Sequence, residues 1–181
     1  ALMTTPPQTP RSQAVQLARQ ILAKNPVFLD TETTGLEKTD EIVEISIVDE
    51  LGQVLYQSLI KPSQPIPPAA SRINHITDAM VQKVPAWPVA WMQIRPLLLN
   101  RLIVAYNSEF DQRMMQQTHL RYRMPWRDPL NFIDLLRIYA QFRGEWDPNR
   151  RSWKYHSLEN AGKQCGISLP NAHRATADTV L

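Results

Sequence analysis

Apolar and polar positions change their period several times along this 181-residue chain. Between residues 11 and 24, Ala14, Leu17, Ala18, Ile21 and Leu22 recur at helical spacing, which predicts an amphipathic helix ended by Asn25-Pro26. Residues 27–31 read as a buried strand, broken by Thr33-Thr34-Gly35. β-Branched residues dominate 41–49, Leu51-Gly52 makes a turn, and a third strand follows over 54–61. Short strands with tight connections predict an antiparallel meander. Four prolines between residues 62 and 68 predict a loop.

The second half mixes periods. Helices are predicted at 77–84, 87–99 and 110–118, with a fourth strand at 102–106. Residues 121–131 form a Pro/Arg/Trp loop, and 132–142 carry a short strand leading into a helix. A polar, basic and aromatic stretch spans 143–155; closing helices are expected at 157–165, stopped by Gly166, and at 172–181. No repeat is visible. The pattern predicts one α/β domain over residues 26–181 with a mixed five-stranded central sheet flanked by helices, preceded by an extension over 1–25 whose first ten residues are disordered.

Composition narrows the function classes. The longest apolar runs are far too short to cross a bilayer, and the Thr/Pro/Gln-rich start lacks the apolar core of a secretion signal. One cysteine, Cys165, excludes an intramolecular disulfide and suits a cytoplasmic location; it is expected as a small core residue on a late helix. The net charge of +3 is unevenly spread, with nine Lys/Arg against four Asp/Glu from Arg113 to Lys154. Such a stretch favours a polyanionic partner, although charge runs are commonly just solvated faces.

The candidate chemistry lies in the acids. Asp30 and Glu32 are two apart on a strand, so both side chains leave one face. Neighbouring carboxylates repel unless a cation sits between them, and hard oxygen donors suit Mg²⁺ or Mn²⁺. A turn-capping Asp beside an exposed Glu is the ordinary alternative. Asp111 adds a carboxylate where a helix follows the fourth strand, a place where it could equally serve the helix dipole. His173 and Asp178 are expected on the last helix, about 1.4 turns apart, sharing a broad face. Asp178 could then bind metal while His173 takes a proton from water.

Three segments carry a family resemblance: Phe28-Leu-Asp-Thr-Glu-Thr-Thr-Gly-Leu36, Tyr106-Asn-Ser-Glu-Phe-Asp111 and His173-Arg-Ala-Thr-Ala-Asp178. In order and spacing they resemble the motifs of the DEDDh (DnaQ-like) 3′→5′ exonucleases, which include the proofreading epsilon subunit of bacterial DNA polymerase III and ribonuclease T. Ile73-Asn-His-Ile-Thr77 is similar to that group's Ile-His-Gly-Ile-Thr, and Tyr106 stands where many members carry His. The resemblance implies a ribonuclease-H-like fold and two divalent cations, Mg²⁺ or Mn²⁺. Asp30, Glu32 and Asp178 would hold one ion, Asp30 would bridge to the second, Asp111 would act through water, and His173 would be the general base.

The same resemblance implies that Thr33 and Gly35 present backbone to the terminal nucleotide, and that Leu36 wedges against terminal bases unless it is a core leucine. His75 and Asn107 complete the substrate contacts. Trp126, Trp146, Trp153 and Tyr155 could supply stacking platforms, though partial burial is the commoner fate of such side chains. The implied activity is release of nucleoside 5′-monophosphates from single-stranded DNA 3′ ends, in proofreading or end trimming. RNA 3′ ends are the alternative within the fold, and a non-catalytic nucleic-acid-binding module lies outside it. Leu181 stands three residues past Asp178, so a protein-partner site is expected in a C-terminal region beyond it.

Overall fold

The computed structural model describes residues 8–167 and 173–180. The expectations for residues 1–7, and for Ala172 and Leu181 in the closing helix, fall outside them. Helix α1 (Pro10–Leu22) is capped by Thr9, whose hydroxyl accepts from the Ser12 amide at 3.1 Å. It starts inside the expected disordered lead because Pro10 sits in the first turn, where its missing N–H costs nothing. α1 packs on α6 (Leu135–Arg143), with the Arg11 guanidinium 4.3 Å over the Phe142 ring.

The five-stranded sheet has the order β3 (Val54–Leu59), β2 (Ile42–Asp49), β1 (Val27–Thr33), β4 (Leu102–Ala105), β5 (Asn131–Asp134). β1, β2 and β3 form the antiparallel meander, and β4 and β5 lie parallel to β1. The expected mixed sheet is therefore present. β1 alternates strictly: Val27, Leu29, Thr31 and Thr33 are buried on one face, while Phe28, Asp30 and Glu32 are half-buried on the other.

On the first face, Leu29, Ile45 and Ile47 pack with Trp87, Trp91 and Ile94 of α4 (Trp87–Leu98) and Met114 and Met115 of α5 (Ser108–Arg121). Each fully buried aliphatic side chain contributes roughly 1.5–3 kcal/mol, which makes this the anchoring core. Trp126 belongs to it as well, 5.9 Å from Trp91, so it is no stacking platform. The second face carries α8 (Ala175–Val180) across β1 and β2.

Three elements were not expected, a helix after the proline loop and the two strands of a late hairpin. A helix α2 (Pro68–Asn74) follows directly on the proline loop, since prolines at its cap and first turn lack only hydrogen bonds no helix start makes. Next comes α3 (Asp78–Val81). The stretch expected only as polar and basic forms a hairpin of β6 (Trp146–Asp147) and β7 (Ser152–Trp153), followed by α7 (Leu158–Gln164). Cys165, expected in the core, is exposed at the C-cap of α7. Among the described residues no helix is long and apolar enough to cross a membrane.

Candidate active site

Strand β1 dictates the start of the site. Its alternation sends Asp30 and Glu32 to the face opposite the core, as the sequence predicts. Asp178, on the first turns of α8, reaches the same place: carboxylate oxygens of Asp30, Glu32 and Asp178 all lie within 4.8 Å of one another. Asp111 comes from α5 and is 2% exposed; its Oδ1 accepts a 2.7 Å hydrogen bond from the Thr31 hydroxyl. Four acids from three elements thus converge on the middle of β1.

Their electrostatics follow from burial and mutual repulsion. Burial, then the charges of Asp111, Glu32, Asp178 and Glu44, push the Asp30 carboxyl well above the usual carboxylate range. Burial raises Glu32 to about 8, with Asp178, Glu44 and Asp111 adding to it and Arg174 opposing. Asp111 is raised chiefly by burial, although the Thr31 hydrogen bond pulls it back. Asp178 is raised by burial and eased by the His173 amide, which donates to its Oδ2 at 3.1 Å. Asp30 Oδ2 is buried and has no hydrogen-bond partner among the described residues. An orphaned carboxylate oxygen among acids that resist ionisation is the donor set a hard divalent cation satisfies, so the residues fit such an ion.

His173 does not lie where the sequence places it. It precedes α8 in a turn with φ 66°, so it shares no helix face with Asp178. The helix begins at Ala175; ahead of it the His173 amide donates to the Asp178 carboxylate and Arg174 pairs with Glu44. The imidazole is exposed, and it is the His173 backbone amide that the structure ties to the acids.

Of the expected substrate-contact residues, Thr33 ends β1 with Gly35 and Leu36 just after it, His75 caps α2 and Asn107 opens α5. Thr33 is buried and donates to the Gly35 carbonyl at 2.8 Å. A Cβ on Gly35 would run into the Asp40 carboxylate, whose Cγ would be 2.8 Å away, so glycine is required there by the loop itself. Asp40 in turn accepts from the Thr34 hydroxyl and the Glu37 amide. Leu36 is 71% exposed, which excludes the core alternative. His75 is exposed in a left-handed cap of α2, and Asn107, also left-handed, opens α5.

Sequence reasoning missed four supporting residues. Glu44, paired across the sheet with Glu32, is 1% exposed and faces Arg174. The Arg174 guanidinium donates to it from Nη2 at 2.8 Å and Nε at 3.1 Å, and the Ala175 amide adds a bond at 3.0 Å. This lashes the start of α8 to β2. Asn74 is 2% exposed and donates to the Thr33 carbonyl, tying α2 to the end of β1. Asp134 Oδ1 accepts from the Asn107 and Leu136 amides, fixing the starts of α5 and α6 together. The available signals were a lone Glu in an apolar strand and an Arg beside His173.

Comparison with known proteins agrees with this architecture. The exonuclease family profile (RNase_T) matches residues 27–181. The chain is 36% identical over 170 residues to the uncharacterised exonuclease CP81 of Escherichia phage 186, covering 90% of this chain and 87% of that protein. It is 32% identical over 153 residues to the DNA polymerase III epsilon subunit of Treponema pallidum, covering 82% of this chain and 68% of the relative. Among solved structures, E. coli exonuclease I in complex with a dA16 oligonucleotide superposes with a TM-score of 0.70 at 22% identity. That match covers 86% of this chain but 38% of exonuclease I. Exonuclease X in complex with 5′-overhanging duplex DNA gives 0.62 at 27% identity, covering 85% and 84%. With its ribonuclease-H-like sheet, its converging acids and a profile match over nearly its whole length, the chain belongs to the DnaQ-like exonuclease family of nuclease hydrolases.

Proposed function

We propose that the protein is a 3′→5′ exonuclease that removes nucleotides from single-stranded DNA ends, with Asp30, Glu32, Asp111, Asp178 and His173 as its catalytic set. The observation that carries this reading is the convergence of half-buried carboxylates around the Asp30 Oδ2, which has no hydrogen-bond partner among the described residues. DNA is favoured over RNA because relatives are named for DNA polymerase III and solved neighbours are DNA complexes. The catalytic unit would be residues 26–181, preceded by an extension over 1–25 whose helix α1 packs on α6.

Asp30, Glu32 and Asp178 would hold two divalent cations, Mg²⁺ or Mn²⁺, with Asp30 shared and Asp111 engaged through water. Bound there, such ions would acidify the attacking water and stabilise the departing 3′-oxygen. Exposed His173 takes the water's proton and hands it to solvent. Water adds to the scissile phosphorus, the bond from phosphorus to the 3′-oxygen breaks, that oxygen takes a proton from solvent to become the new 3′-hydroxyl, and a nucleoside 5′-monophosphate leaves. Thr33 and Gly35 offer backbone, and Leu36, His75 and Asn107 offer side chains, to the terminal nucleotide.

The test is product analysis on 5′-labelled DNA and RNA oligonucleotides of one sequence, with Mg²⁺, Mn²⁺ or chelator. Stepwise shortening with mononucleotide release, abolished by chelator and faster on DNA, is expected. Internal cleavage, or activity indifferent to chelator, would sink the proposal; faster RNA digestion would transfer it to RNA 3′ ends.

A further inference from the structure

The hairpin β6–β7 lies outside the acid cluster, yet it springs from the rim of the site. His156 follows it, and its carbonyl accepts a 2.8 Å hydrogen bond from the Tyr106 hydroxyl at the end of β4. Leu158, two residues on, lines a cavity of about 190 Å³ together with Asp30, Tyr106 and Asp178. Trp153 is three residues before His156, within about 10 Å of extended chain. Strands of two residues are too short to persist alone. This pair is held by Trp146 and Trp153, opposite each other in register, with ring centres 5.4 Å apart and edge-on at 86°.

That packing fixes the Trp146 indole while leaving it 58% exposed. Tyr155 is also exposed, at 39%, with the Arg150 guanidinium 5.8 Å from its ring. The acids of the hairpin are used internally. Glu145 pairs with Arg143 and Lys154, and Asp147 pairs with Arg150 and holds the turn amides of Asn149 and Arg150. Among the described residues Arg151 meets no carboxylate, so the hairpin presents a positive surplus beside two exposed aromatic faces. Rigid aromatic faces with cations around them suit unpaired bases on a phosphate backbone, because every base has a stacking face.

We propose that this hairpin is a second contact for single-stranded DNA, with Trp146 and Tyr155 stacking bases upstream of the terminal nucleotide. The inference rests on the exonuclease reading and extends it from the scissile end to the strand behind it. Trp126, in the same basic half of the chain, has no such role because it is packed against Trp91.

The experiment compares KM and kcat of the full chain on a dinucleotide, too short to reach the hairpin, and on a dT12 strand. For Trp146→Ala combined with Tyr155→Ala, KM on dT12 is expected to rise roughly 5- to 100-fold, the scale for losing a base–aromatic stack. The KM ratio between the two substrates should collapse, and Trp146→Phe should keep most of it. An unchanged ratio overturns the proposal, and so does an equal rise on both substrates, which would place the effect in the site. An effect confined to 3′-recessed duplexes overturns it too and reassigns the surface to duplex DNA. If the unaltered protein digests neither DNA, the exonuclease reading itself fails; if it digests both and only the ratio stays fixed, the hairpin proposal alone fails.

Discussion

Replacing Glu32 with Gln should make the metal-free protein more stable while removing its activity. Burial and neighbouring acids hold the Glu32 carboxyl near 8 in the fold, against 4.5 for a free glutamate. Between those values the folded chain binds a proton that the unfolded chain releases, so stability falls as pH rises from about 4.5 to 8. The difference corresponds to about 4–5 kcal/mol at about 1.36 kcal/mol per pH unit, and partial exposure of Glu32 reduces it to about 2–3 kcal/mol. Coulomb repulsion gives a similar scale: the carboxylate oxygens lie within 4.8 Å of one another, and two charges at that limit repel by about 3.5 kcal/mol at an effective dielectric of ~20. The neutral amide escapes this. In chelator at pH 8, Glu32→Gln should therefore melt about 4–10 °C above the parent, followed by far-ultraviolet circular dichroism. At pH 4.5 the two should melt together, and millimolar Mn²⁺ at pH 8 should raise the parent alone. A variant no more stable than the parent at pH 8 in chelator would refute the crowded-carboxylate account.

Three further outcomes follow from the same geometry. Arg174→Met strands the buried Glu44 carboxylate with one amide donor, and should cost about 2–4 kcal/mol in urea unfolding, near the lower part of the range for broken buried pairs because Arg174 is a third exposed. Adding Glu44→Leu should restore part of that stability, and no recovery would show that the pair is not what holds α8. His173→Ala should lower kcat by roughly 10²–10⁴ with little change in KM, measured by mononucleotide release; a loss under threefold would remove it from proton transfer. Thr31→Val removes the hydrogen bond that restrains the Asp111 carboxyl. The acid limb of kcat/KM should then move to higher pH, and an unmoved limb would separate Asp111 from the ionisations that activity requires.

Much of this was readable from local pattern. The β1 alternation alone puts Asp30 and Glu32 on one face, and the strand-to-helix switch at Tyr106-Asn107 places Asp111 in the first turn of α5. Elements set by local rules, with a strong period or a clear breaker, appear where expected. What escaped depends on partners distant in sequence. Glu44 looks like an ordinary polar position in a strand until Arg174 arrives from the other end of the chain. His173 stands ahead of α8 with its amide on the Asp178 carboxylate, and spacing alone cannot fix where that helix starts. Strands as short as β6 and β7 carry no periodicity, and their cross-strand tryptophans become visible only once the turn closes.

The lashing of α8 to β2 also sets the order in which the site can be assembled. Glu44 and Arg174 are 130 residues apart, and contacts of that span carry the largest loop-closure entropy and form late in folding. A chain with its meander formed but α8 undocked holds Asp30 and Glu32 without Asp178. Capture of a cation by the proposed acid set would thus be coupled to the completion of folding, and cations added during refolding should accelerate only the last kinetic phase.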